Sequence, residues 1–97
     1  MEALKLEDFS SHVGSTFSVS FGAAVAELTL TEAEPARAWR YPEGVRPPFS
    51  LTFQGSSPAA MAQETYRFEH PAMAPFDAFI VPMRQDADGV LYQAIFG

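Results

Sequence analysis

His12 and His70 are the only imidazoles in the chain, and there is no cysteine. Imidazole is the side chain best suited to acid–base work near neutral pH. His12 lies among Ser10, Ser11 and Ser15, with Asp8 four residues earlier, and His70 precedes Pro71. Ser11, His12 and Asp8 could be written down as a nucleophilic set. A triad is defined by convergence in space, however, and residues this close in sequence do not aim at one another productively. No G-x-S-x-G elbow occurs, and Gly14, Gly22 and Gly55 stand alone, without the spacing or the Lys of a phosphate-binding loop. A structural role is therefore expected for each histidine. The carboxylates are scattered: Glu7 and Asp8, Glu32 and Glu34, Glu69 and Asp77, Asp86 and Asp88. A glycosidase needs two of them facing across a cleft, for which a chain of 97 residues has little room. They read as solvated strand faces.

Asp86-Ala87-Asp88-Gly89 resembles part of a calcium loop. With Gly89 at the sixth loop position, Asp88 and Asp86 fall where oxygen ligands belong. Arg84 then takes the first position and Ile95 the last, where the bidentate glutamate should be. A cation would meet a guanidinium at one end and an aliphatic side chain at the other. Asp-Gly between two apolar runs is, by contrast, among the strongest short hairpin signals. The stretch is read as a strand corner, with no metal site and no cofactor.

ARAWRYPEGVRPP is the stretch richest in binding chemistry. Arg37, Trp39, Arg40, Tyr41 and Arg46 bring together the only Trp and three of the five arginines. Trp, Tyr and Arg are enriched at interface hot spots, and a proline-rich loop loses less entropy on binding. Positive charge on an acidic body would attract an acidic partner, including a second copy of the chain. In the alternative reading Trp39 folds back as a cap and the arginines pair with Glu32, Glu34 or Glu43.

The elements that must position these groups follow from periodicity. Leu6, Phe9 and Val13 fall on one face of a short helix, with Gly14 as its stop. The period then changes to two. Phe17, Val19 and Phe21 alternate with Ser and Thr; so do Leu28 and Leu30, then Phe49, Leu51 and Phe53, then Tyr66 and Phe68, each with polar neighbours. FDAFIVPM and VLYQAIF are apolar at both parities, which predicts strands covered on both sides. Pro82 belongs near a strand end or bulge. Gly, Pro and small polar residues separate the strands and suggest a meander.

Six short strands predict an all-β fold, a small antiparallel barrel or sandwich, with one short N-terminal helix plugging an end. A single domain over residues 1–97 is expected. The predicted core is Phe9, Val13, Phe17, Val19, Phe21, Leu28, Leu30, Phe49, Leu51, Phe53, Tyr66, Phe68, Ile80, Tyr92 and Phe96.

Net charge of −6 repels phosphate backbones and anionic lipid, so neither nucleic acid nor a membrane surface is an expected partner. The apolar runs are too short to span a bilayer as a helix, and no signal peptide is legible, which points to the cytoplasm.

LEDFSSHVGSTF, LTLTEAEP, PFSLTFQG, TYRFEHPAM and FIVPMRQDADGVLYQAIF, in that order, resemble a small bacterial domain family described only as a domain of unknown function. The resemblance covers nearly the whole chain. It is most specific at Phe9–Gly14, Pro48–Gly55, His70-Pro71 and Ile80–Pro82, followed by Gly89, Tyr92 and Phe96. It implies a small bacterial β-domain, brings no catalytic residues, and places relatives near phage-tail-like structural proteins. Many relatives have Gly where this chain has Ala74-Pro75, which implies a differently shaped turn after His70.

Sequence and resemblance together lead to a non-enzymatic protein-interaction or structural accessory module. It would act through exposed strand edges or the Trp39 loop, with an unidentified protein partner or as a homodimer. The alternatives are a small-ligand-binding barrel, and a hydrolase or isomerase using His12 or His70.

Overall fold

The computed structural model describes residues 4–35, 48–56 and 61–96. A short helix, α1 (Leu6–Ser10), precedes six strands: β1 (Thr16–Phe21), β2 (Ala24–Pro35), β3 (Phe49–Gly55), β4 (Glu64–His70), β5 (Met73–Asp86) and β6 (Gly89–Phe96). All pairings are antiparallel, and the sheet closes in the order β1-β2-β3-β6-β5-β4. The chain is thus not the simple meander suggested by its turns. β1–β2–β3 and β4–β5–β6 are each meanders, but β3 pairs with β6, and β4 lies beside β1. The spatial run β4-β1-β2-β3 is a Greek key. β3 and β4 lie opposite one another in the closed order, and the residues just before β4 are bonded to the barrel. There the Met61 amide donates to the Tyr92 hydroxyl (2.8 Å), and the Tyr66 hydroxyl donates to the Ala62 carbonyl (2.8 Å). Closure also removes the exposed strand edges expected from a sandwich.

Two long strands make the closure possible. β2 pairs with β1 through its first half and with β3 through its second, and β5 passes likewise from β4 to β6. Register shifts between Leu30 and Glu32 and between Pro82 and Arg84 bend them at the handover. Pro82 sits where its missing donor costs least.

Inward-facing residues fill the interior. Phe9, Phe17, Val19, Leu28, Leu30, Phe49, Leu51, Phe53, Tyr66, Phe68, Ile80 and Tyr92 are buried, as their alternation predicts. Phe76, Ala78, Val90 and Ala94 join them from β5 and β6. Phe96 is half-buried against this cluster, and the Phe21 side chain lies outside those described. Rings touch in series: Phe9 with Phe76 at 5.3 Å, Phe76 with Phe68 at 5.3 Å, Phe68 with Phe53 at 5.0 Å, and Phe53 with Phe17 at 5.7 Å.

Two expectations are corrected. Val13 is 48% exposed. The helix ends at Ser10, a turn sooner than the periodicity implied, so Val13 never reaches the face shared by Leu6 and Phe9. The following turns are held instead by Gly14 N–H to Leu30 C=O (2.7 Å) and Leu30 N–H to Ser15 C=O (2.9 Å). Second, among the described residues β5 and β6 are covered on one face only. Phe76, Ala78 and Ile80 point inward, whereas Phe79 and Met83 on the other parity are exposed. Ile95 is exposed in the same way on β6. Among the described residues no helix is long and apolar enough to cross a membrane.

Candidate functional site

The two histidines meet. α1 and the turns after it bring His12 to the barrel end where β4 delivers His70. The rings are 4.8 Å apart and inclined by 50°. On its other side His70 packs against Phe17, centroids 4.7 Å apart. Its Nδ1 accepts the Ala72 amide at 3.0 Å, so the ring caps the β4–β5 turn. No sequence signal reveals this meeting, because the residues are far apart in the chain and belong to different elements.

Beside the pair runs a surface groove of about 730 Å³, lined by Leu4, Asp8, His12, Arg67, Met73 and Asp77 among others. It holds a histidine and two carboxylates, the ingredients of an acid–base site. Their wiring is different. Asp8 Oδ2 accepts the Lys5 amide at 2.8 Å and so caps α1. Asp77 is the cross-strand neighbour of Arg67. Among the described residues no hydrogen bond or ion pair joins either histidine to a carboxylate, and no group of three or more His, Asp or Glu could hold a metal ion. The histidines tie the helical plug to the β4–β5 hairpin by ring contact and by the turn-capping bond.

Asp86 and Asp88 form the corner of the β5–β6 hairpin. Asp86 Oδ1 accepts the Asp88 amide at 2.9 Å, and its Oδ2 lies 3.5 Å from Arg84 Nε. The carboxylate is therefore occupied in shaping its own turn. The turn residues are Ala87 and Asp88, one position before the Asp-Gly pair, since Asp86 faces Gly89 across the ladder. Among the described residues none but glycine has positive φ; Gly89 stands at +125°. A side chain there would overlap the Gly55 carbonyl. The glycine thus serves both the turn and the close approach of the hairpin to β3, where Gln54 Nε2 donates to the Gly55 carbonyl at 2.7 Å.

The other feature of note is the outer face of β5 and β6. Phe79, Val81 and Met83 follow one another along β5. Ile80 pairs with Ala94, which sets Phe79 opposite Ile95 on the outside. Phe79, Met83 and Ile95 are 49%, 60% and 62% exposed. The outside of an antiparallel sheet is ordinarily polar, so a cluster of large apolar side chains there is a departure from the usual pattern. The sequence signal was present, as two-sided apolarity, and was read as double burial. Arg37, Trp39, Arg40, Tyr41 and Arg46, the binding residues suggested by the sequence, lie outside the described residues.

No curated protein and no solved structure matches the chain. Residues 4–96 match a protein family across nearly the full length of the barrel and its helix, and the chain belongs to that family, described as Domain of unknown function (DUF6916).

Proposed function

We propose that this chain is a non-enzymatic protein-interaction module, working in the cytoplasm as an accessory part of a larger assembly. The single observation that carries the reading is the apolar outer face of β5 and β6 on a barrel whose interior is already filled. A barrel of six strands is narrower than the eight-stranded barrels whose interiors side chains just fill. Here the rings of Phe9, Phe17, Phe53, Phe68 and Phe76 pack against one another within it. That packing favours interaction over internal ligand binding, and the capped Asp8 and turn-bound His70 favour it over acid–base catalysis. A phage-tail-like assembly is the setting implied by the family resemblance, and the acidic charge disfavours nucleic acid.

The test is a photo-crosslinking amino acid placed at Phe79, with Glu27 on β2 as the control. Expression in cells should give a discrete protein adduct from position 79 and none from position 27. Absence of any protein adduct at 79 would remove the basis of the reading.

A further inference from the structure

We infer that the β5–β6 outer face is a self-association surface through which two copies of this chain pair about a two-fold axis. The inference rests on the interaction-module reading and names its partner.

The argument is electrostatic. The middle of the β5–β6 outer face, Phe79, Val81, Met83, Leu91, Gln93 and Ile95, carries no charge; the charged residues of β5 stand at its ends, Asp77 at one and Arg84 with Asp86 at the other. The adjoining outward residues of β3, Thr52 and Gln54, are neutral as well. On a chain of net charge −6 this is an unusual expanse. The two acids of β5 each have an arginine beside them, Arg67 next to Asp77 and Arg84 next to Asp86. Glu27, Glu32 and Glu34 are exposed on β2, which the closed order places diametrically opposite β5. A basic partner would therefore be drawn to the β2 flank and not to this one.

Two copies docked by their β5–β6 faces hold their β2 flanks on the far sides. The molecule is 23 Å across at its narrowest. That is more than twice the Debye length of about 8–10 Å at physiological salt, so mutual repulsion of the acidic flanks is screened out. The face is also bordered by opposite charges. Arg67 and Asp77 are cross-strand neighbours on β4 and β5, and Asp77 precedes Phe79 by one outward position. In a two-fold pairing the same patch meets itself, so Arg67 of one copy can face Asp77 of the other. With the outward faces of adjacent strands about 4.8 Å apart, three strands make a surface below the standard interface size. A reversible dimer follows, not an obligate one.

The deciding measurement is sedimentation velocity on the full chain from about 10 μM to about 1 mM, the range in which small interfaces populate. The wild type should shift toward the dimer as concentration rises. Phe79→Ser with Ile95→Ser should weaken association at least tenfold, and Glu27→Ser on the opposite flank should leave it unchanged. Should the double variant fail to fold, Met83→Glu gives the same readout, because it adds a charge at an already exposed position. A wild type that stays monomeric throughout overturns the proposal, as does association that neither variant weakens. The crosslinking experiment separates the two readings. A position-79 adduct with a different protein, from a monomeric wild type, discards self-pairing and leaves the interaction module standing. No adduct at all discards both.

Discussion

The flank built from β1 and β2 and the flank built from β5 and β6 face opposite ways on the same barrel, and they share one inner design. Phe17, Val19, Leu28 and Leu30 point inward from the first; Ile80, Val90, Tyr92 and Ala94 point inward from the second. Outside they differ. The first presents Ser18, Ser20, Glu27 and Thr29 with a single exposed valine, Val25, among them, and the Thr16 and Thr29 hydroxyls are 3.4 Å apart across the ladder. The second presents Phe79, Val81, Met83 and Ile95. The barrel needs only the inner set. What the outer set contains is free to serve solubility on one side and contact on the other.

The sharpest way to break this comparison is to cut adjacent residues of β5. Ile80→Ala removes a fully buried side chain and should cost about 2–5 kcal/mol in denaturant unfolding. Phe79→Ser, one residue away, should cost about 0.5 kcal/mol or less at dilutions where the chain is monomeric. Equal losses would mean that β5 is covered on both sides, and the contrast between the flanks would disappear.

The two hairpins give the next largest effect. Gly89 turns the β5–β6 hairpin at φ +125° with the Gly55 carbonyl against it, whereas Gly22 turns the β1–β2 hairpin at φ +59° in open space. Gly89→Ala should therefore cost about 2–3 kcal/mol, combining backbone strain with displacement of β3. Gly22→Ala carries the backbone term alone, about 1 kcal/mol. Thermal unfolding of the two variants side by side checks the order. A milder Gly89→Ala would show that the hairpin does not depend on its approach to β3.

Much of this was legible beforehand. Alternation identified four strands, apolar runs two more, and together they gave most of the buried side chains, because side-chain period is a direct record of which face meets water. The limits were equally physical. Nothing local distinguishes β3 pairing with β4 from β3 pairing with β6; the bonds that accompany the observed pairing, Met61 N–H to the Tyr92 hydroxyl and the Tyr66 hydroxyl to the Ala62 carbonyl, join residues whose closeness no sequence pattern announces. Val13 was misplaced because the apolar period ran beyond the helix that would have used it. The contact of His12 with His70 required the closed barrel, and apolarity at both parities of β5 reads the same in composition whether the second face is covered or, as for Phe79 and Met83, exposed.

Between the two flanks stands β4, where Tyr66 gives a smaller and pH-dependent effect. Burial pushes its hydroxyl above the ordinary tyrosine value of 10.0, with Glu64 and Tyr92 adding in the same direction. Below that value the group is neutral in both folded and unfolded chains and has no pH slope. As pH rises past it, the unfolded chain loses the proton first, and stability falls until the folded group also ionises. Tyr66→Phe should flatten this alkaline loss. At neutral pH it should cost about 0.5–1.5 kcal/mol, since the Ala62 carbonyl loses its donor. A pH–stability profile unchanged above 10 in the variant would mean that other groups dominate the alkaline limb.

The smallest effect should come from the polar flank itself. Thr29 is half-buried, and its hydroxyl approaches that of Thr16 at a distance typical of a weak bond. Thr29→Val keeps the β-branched shape, and its loss of a solvent-facing hydroxyl should change stability by no more than about 0.5 kcal/mol. It also sharpens the comparison, because it adds apolar surface to the flank that carries Glu27, Glu32 and Glu34. If apolarity alone drives pairing, this variant should sediment as a stronger dimer than the wild type. If freedom from charge is equally required, it should sediment like the wild type. The placement of the acids favours the second outcome, since a one-methyl gain is small against bringing six like charges face to face across a shared flank.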